Sequence, residues 1–308
     1  MRVLPQRFNK PQFIFHPGAG VRRVLEPLLR RREPRGAIRE VPLRWGMTIS
    51  IRQGDDIGRS ITHSGIFDLC VSEVLFRLVS PGDLAVDVGA NLGYMTSLMA
   101  PRAGPRGRVV AFEPHPDVYP LLERNAESWW EIRENAPIDI RAVALSSRPG
   151  TGQLLASDEF NTNMGVAFLG EPGTEGLPVA LDTLDRSFAG AHIGVLKIDV
   201  EGHELEVLRG AHSLLRAQRI RDVVFEDHGD YPTPVTAHLE RYGYSVFSLD
   251  NNLVRLLVRP AAEHAPRRGW EGPSYVATRD APRALGRLRR RGWGVLGLGG
   301  IESWLARA

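Results

Sequence analysis

The apolar run Leu84-Ala85-Val86-Asp87-Val88 passes without a break into Gly89-Ala90-Asn91-Leu92-Gly93, and this stretch limits the chain to few folds. The first five residues predict a buried strand, with Pro81 and Gly82 marking the turn before it. Gly89 and Gly93 permit a tight turn and let a ligand approach the backbone. Leu92 to Ala100 then reads as a helix stopped by Pro101. Its start offers unpaired N–H groups and a partial positive charge of about half a unit, a resting place for a carboxylate. A second strand, RVVAFE (108–113), ends in Glu113, 24 positions after Gly89. A carboxylate there can accept both hydroxyls of a ribose, each charge-assisted bond contributing on the order of 1.5–3 kcal/mol. The pair of motifs predicts a site for a nucleoside carrying an amino-acid tail. S-adenosyl-L-methionine meets that description, with Asp87 placed to balance its ammonium group directly or through water. The dinucleotide turn G-x-G-x-x-G would need a glycine where Asn91 stands, so NAD is a lesser alternative.

Around this core the chain alternates short strands with helical stretches, the pattern of an α/β fold: a Rossmann-like, mostly parallel sheet with helices on both faces. Pro114 and Pro116 open a helix reaching about Ser128; IDIRAVAL (138–145), IGVLKID (193–199) and DVVFE (222–226) read as further strands. Residues 146–180 read as loop or irregular hairpin, and Pro234 to Tyr242 as a helix capped by Gly243. YSVFSL-DNN-LVRLLV (244–258) predicts a C-terminal antiparallel hairpin, which distinguishes a methyltransferase sheet from a plain dinucleotide fold.

The charge is uneven. Residues 1–40 balance at +7 and residues 260–308 at +5, leaving residues 41–259 at −9. Three parts are expected: a basic N-terminal extension (1–40), a catalytic domain (41–259) and an Arg-rich C-terminal segment (260–308). The Arg30–Arg32 and Arg289–Arg291 runs are read first as solvated faces, and only second as grips for nucleic acid or an anionic lipid surface. No stretch approaches the ~20 apolar residues of a membrane span, no signal peptide is evident, and a single cysteine, Cys70, fits a reducing compartment. A cytoplasmic protein is expected.

DLAVDVGANLGYMTSLMA, VVAFEPHPDVYPLLERNAE and above all VLKIDVEGHELEVLRGA resemble the FkbM-type methyltransferases. The resemblance runs in the family's order over most of residues 41–259. It implies a class I methyltransferase fold and O-methylation of sugars, polyketide hydroxyls or related metabolites. By motif matching it implies that Asp87, Gly89, Asn91, Gly93 and Glu113 bind the cofactor, with Ala90 in the same turn and Ala144 at the adenine edge. Asp68 stands where the family often has Glu, and Glu226-Asp227-His228 departs from the family's plainer ending.

Ligands of open α/β sheets meet the carboxyl ends of strands, which puts Asp199 and Glu226 beside the methyl donor. Asp199 is expected to position the acceptor hydroxyl, with Asp199 or His228 as general base. Lys197 points to the same face and is expected to pair with Glu226 more than to act directly; His203 opens a helix as a cap or faces solvent. Asp199, Glu201, Glu226, Asp227 and His228 could hold a divalent metal through oxygen ligands, but their spacing forms no metal signature and none is expected. Cys70 and the Trp129-Trp130 pair read as packing. The Asp199-Val200-Glu201-Gly202 turn lacks the Asn/Asp-Pro-Pro-aromatic pattern of base amino-methylation, so a small-molecule or saccharide acceptor is preferred. Ribose methylation of RNA and a non-catalytic S-adenosylmethionine-binding protein stay open as alternatives.

Overall fold

The computed structural model describes residues 36–156, 167–170, 173–264 and 272–297, together with Pro11. The Arg30–Arg32 run lies outside them. A hairpin of β1 (Ile38–Pro42) and β2 (Thr48–Arg52) leads into helices α1 (Asp56–Ser64) and α2 (Leu69–Leu78). Strands β3 (Leu84–Val88), β4 (Arg108–Phe112) and β5 (Ile138–Arg141) then alternate with α3 (Tyr94–Ala103) and α4 (Tyr119–Trp129). After an inserted region come β10 (Ile193–Ile198), α6 (Glu204–Arg209), α7 (His212–Arg216) and β11 (Ile220–Glu226). Helix α8 (Pro234–Arg241), β12 (Ser245–Asn251), β13 (Leu256–Pro260), β14 (Ser274–Thr278) and α9 (Ala281–Leu288) follow.

The main sheet has the order β13-β12-β14-β11-β10-β3-β4-β5. Strands β5, β4, β3, β10 and β11 run parallel; β14 is reversed, and β12 pairs antiparallel with both β14 and β13. This is the α/β class I methyltransferase architecture expected from the sequence, and the β12–β13 hairpin is present. The expected boundary at residue 259 does not separate a domain from a tail, however. Strand β14 lies beyond it, buried along its whole length, and joins the hairpin to the parallel strands.

Alternate strand residues serve opposite faces of the sheet. Ala85, Val109, Val195 and Val224 pack with α2, α3 and the β1–β2 hairpin, whereas Val86, Val110, Leu196 and Val223 pack toward α6, α7 and α8. Trp129 is buried, its indole donating to the Thr48 carbonyl at 2.7 Å, while Trp130 is exposed. Cys70 is half-buried against the same core as α2.

Four local expectations change. Pro101 lies inside α3, in its last turn, and Gly104 N closes the helix on Ala100 O at 3.0 Å. The helix after Glu113 begins only at Tyr119. The third strand stops at Arg141, and β6 (Ala144–Leu145) leaves for a second sheet. That sheet has the order β6-β9-β7-β8, with β7 (Gly150–Ala156), β8 (Ala167–Leu169) and β9 (Leu177–Asp182), where loop or an irregular hairpin was expected; α5 (Leu184–Ser187) follows it.

The chain after β14 is tied to the amino ends of the parallel strands. Asp222, fully buried, accepts from Thr278 Oγ1 (2.7 Å) and pairs with Arg221 (3.0 Å) and Arg283. Glu73, also buried, accepts from Gly294 N and Val295 N at 2.8 Å each. Arg289, Arg290 and Arg291 follow α9 and are exposed. Among the described residues no helix is long and apolar enough to cross a membrane.

Candidate active site

The connections reverse between β3 and β10, with β4 and β5 on one side and β11 on the other. Such a switch point opens a crevice at the carboxyl ends of the strands. Asp199 N donates to Val88 O at 3.1 Å there, and a Cβ placed on Gly89 would stand 1.9 Å from the Asp199 carbonyl oxygen. Gly89 also has a φ of 75°. Both facts demand glycine.

The turn after β3 is held from below and above. Gly89 N and Ala90 N donate to Phe112 O at 3.0 and 2.9 Å. Asn91 adopts a left-handed φ of 50°, and its Oδ1 accepts from Leu92 N at 2.7 Å. Gly93 caps α3 without any side-chain hydrogen bond. The amides of Tyr94, Met95 and Thr96, ahead of the first helical bond from Ser97 N to Gly93 O, therefore have no intrahelical or side-chain partner among the described residues, and Tyr94 and Met95 line the cleft. Glu113 is 7% exposed; its Oε2 accepts from Asn91 N and its Oε1 from His115 N, both at 2.9 Å. Burial pushes its carboxyl up to about 7, against the pull of those two amides. Each oxygen keeps a lone pair for a hydroxyl. The uncapped helix start fits the carboxylate of S-adenosylmethionine, and Glu113 fits its ribose. Ala144, buried at the start of β6, lines the cleft beside Val143.

Of the residues singled out in the sequence, Gly89, Ala90, Asn91, Glu113, Ala144, Lys197, Asp199 and Glu226 line one cleft. Asp87, Gly93 and His228 do not. Asp87 shares the pleat face of Ala85, beneath α3; it is fully buried, accepts from Thr96 Oγ1 at 2.7 Å and pairs with Lys197 at 3.2 Å. Gly93 is required by packing, since a Cβ there would come within 2.7 Å of Leu122 Cδ1 and 3.1 Å of the Trp129 ring. The His228 side chain is 68% exposed, its Nε2 lying 2.7 Å from Glu226 Oε1.

The expected Lys197–Glu226 pair is absent, because register sets Lys197 opposite Asp87 on β3 and Val224 on β11. Its ammonium instead reaches Gly89 O (2.8 Å), Asp87 (3.2 Å) and Asp199 (3.5 Å), tying the donor loop to the acceptor side. His203 opens α6 at its N-cap position as expected but makes no side-chain cap; half-buried in the cleft lining, its Nε2 meets Ser146 Oγ at 2.9 Å, and burial lowers its pKa.

The sequence reading missed several wall residues. Tyr94 accepts from Phe67 N at 3.1 Å and so fixes the turn that carries Asp68 into the cleft. Phe168 and Leu169 come from the second sheet, and Gly272 from the Arg-rich C-terminal segment (260–308). Only Asp68 had a local signal, its place in GIFDL. Burial, followed by the neighbouring carboxylates Asp199, Asp68 and Glu201, pushes Glu226 up to about 9. Glu201, exposed in the turn after β10, rises to about 7 through partial desolvation and the neighbouring Asp199 and Glu204. Among the described residues no three His, Cys, Asp or Glu side chains gather as a metal ion would need. Asp227 is turned to Thr233 Oγ1 and to Gly229 N instead.

The Methyltransferase FkbM domain family matches residues 87–246. The hexuronic acid methyltransferase AglP of Haloferax volcanii is 29% identical over 168 residues, 54% of this chain and 65% of that protein, so just under two thirds of that relative's length is spanned. Methyltransferase 1 of Beauveria bassiana is 32% identical over 211 residues, covering 60% of this chain and 80% of that one. The crystal structure of methyltransferase FkbM from Methylobacillus flagellatus superposes with a TM-score of 0.44 at 13% identity, covering 63% of this chain and 43% of that one.

Proposed function

Since this chain belongs to the FkbM methyltransferase family and is a S-adenosylmethionine-dependent transferase, we propose that it methylates a hydroxyl oxygen of a saccharide or related small metabolite. The contact of Gly89 with Asp199 carries the reading, because it brings the donor loop and the strand-end carboxylate into one cleft. The Haloferax relative, named for a hexuronic acid, supports a sugar as acceptor.

When bound, S-adenosylmethionine supplies a methyl group activated by its sulfonium. The protein's part is chiefly alignment, which can account for a large share of such an acceleration. The α3 amides and Glu113 hold the two ends of the donor. Asp199 accepts the hydrogen bond of the acceptor hydroxyl and takes its proton. Lys197 fixes Asp199 from below, 3.5 Å away. Glu226, protonated near neutrality, donates to an acceptor oxygen rather than acting as base. His228, outside the cleft wall, orients Glu226.

Two measurements test this. Calorimetry with S-adenosylhomocysteine should show one site, and mass spectrometry of glycans or metabolites incubated with enzyme and labelled donor should show the gain of one methyl on oxygen. Transfer to nitrogen or carbon alone would overturn the oxygen assignment.

A further inference from the structure

The glycine turn, the α3 start and Glu113 fix where the donor lies without reference to the rest of the cleft, and the acceptor has to sit next to it. That neighbouring wall is made of carboxyl groups from separate segments. Asp68 comes from the start of α2, Asp199 from the end of β10, Glu201 from the turn after it and Glu226 from the end of β11. Among the described lining residues Lys197 is the sole Lys or Arg, and its ammonium already meets Asp87, Asp199 and Gly89 O. His203 is bonded to Ser146 and its pKa is lowered, so it adds no lasting charge.

The Glu226 side chain is 25% exposed, so this part of the wall is only partly sheltered from water. A Cβ on Gly272 would lie 1.6 Å from Glu226 Oε1, so backbone covers that carboxyl on one side. Crowding and partial burial leave a proton on Glu226, pushed up to about 9 beside Asp199 and Asp68. The wall thus offers hydrogen-bond donors and acceptors side by side. A hydroxyl does both, and a polyol can satisfy them together. A carboxylate ligand would meet like charge with no lining Lys or Arg left to pair it, a desolvation cost with little return.

We propose that the acceptor is an uncharged, hydroxyl-rich sugar, and that the Asp68–Asp199–Glu201–Glu226 wall rejects sugars bearing a carboxylate. The inference rests on the saccharide reading of this cleft and deepens it: the sugar class carries over from the relative, its acid group does not.

The test uses matched pairs, the methyl hexopyranosides of glucose, galactose and mannose against the corresponding methyl hexuronides, with labelled donor at pH 7. S-adenosylhomocysteine calorimetry is run on the same preparation. At least one neutral pyranoside should be methylated with kcat/KM at least tenfold above its uronide. Glu201→Gln and Asp68→Asn should each narrow that ratio several-fold by admitting the uronide. Equal turnover of a uronide and its neutral partner, an unchanged ratio in both variants, or no transfer to any neutral pyranoside by protein that binds S-adenosylhomocysteine overturns the proposal. Absence of S-adenosylhomocysteine binding brings down the donor reading beneath it, and is recognised by that separate measurement.

Discussion

Gly89 and Asp199 touch backbone to backbone: a single added Cβ at residue 89 would fall 1.9 Å from the Asp199 carbonyl oxygen. The donor turn and the acceptor strand therefore cannot shift independently. Gly89→Ala should push them apart and strain a φ of 75°. S-adenosylhomocysteine affinity should fall by at least tenfold in calorimetry, with a lowered Tm.

Asp199→Asn keeps the side-chain shape and removes the proton acceptor. Turnover should drop by roughly two to four orders of magnitude, the usual contribution of a positioned base, while S-adenosylhomocysteine affinity stays within a few-fold. Near-normal turnover in single-turnover assays would remove Asp199 from its assigned role.

Glu113 titrates near 7, so donor binding should depend on pH. Ribose hydroxyls donate better to a carboxylate than to a carboxylic acid. S-adenosylhomocysteine affinity should rise from pH 6 to pH 8. Glu113→Gln should weaken binding by about tenfold at pH 8, the difference between a charged and a neutral acceptor, and flatten the pH profile.

Stability should run the other way. Glu226 has its folded-state pKa raised from 4.5 to about 9, so its favourable contribution is complete below the ordinary carboxylate range and is lost as pH climbs toward 9. Thermal melts of the ligand-free protein should show Tm falling from pH 5 to pH 9. Glu226→Gln should shrink that fall.

Ending the chain after residue 259 removes β14 from between β11 and β12 and leaves Asp222 without Thr278 and Arg283. Asp222 keeps only Arg221, and removing partners from a buried carboxylate costs up to about 3–5 kcal/mol, comparable with the whole stability of many domains. The truncated protein should be insoluble or lack a cooperative melt, whereas a separable tail would leave the melt intact.

The donor half of the site was legible because its signals are local. A strand, a glycine turn and a helix start follow one another in the chain, and Glu113 is read from the end of the next strand. What was illegible depends on register and pleat. Asp87 and Val88 are neighbours in sequence, yet only Val88 lines the cleft, because Asp87 faces α3. Lys197 was expected to meet Glu226 but stands across from Asp87, a pairing no spacing within one strand reveals. Ser274–Thr278 is buried throughout, but the Arg-rich composition on either side concealed its strand character. The second sheet was hidden in the same way by glycine, proline and serine between its short strands.

The reversed strand β14 also sets the order in which the molecule can be completed during synthesis. Strand β11 leaves the ribosome some fifty residues before β14, and the β12–β13 hairpin in between has no sheet neighbour to join until β14 arrives. Until then two hydrogen-bonding edges stay open, the condition under which nascent chains invite aggregation or chaperone capture. The parallel half can assemble early, but Glu226 gains its Gly272 cover, and the acceptor wall its final shape, only once the segment leading into β14 has emerged.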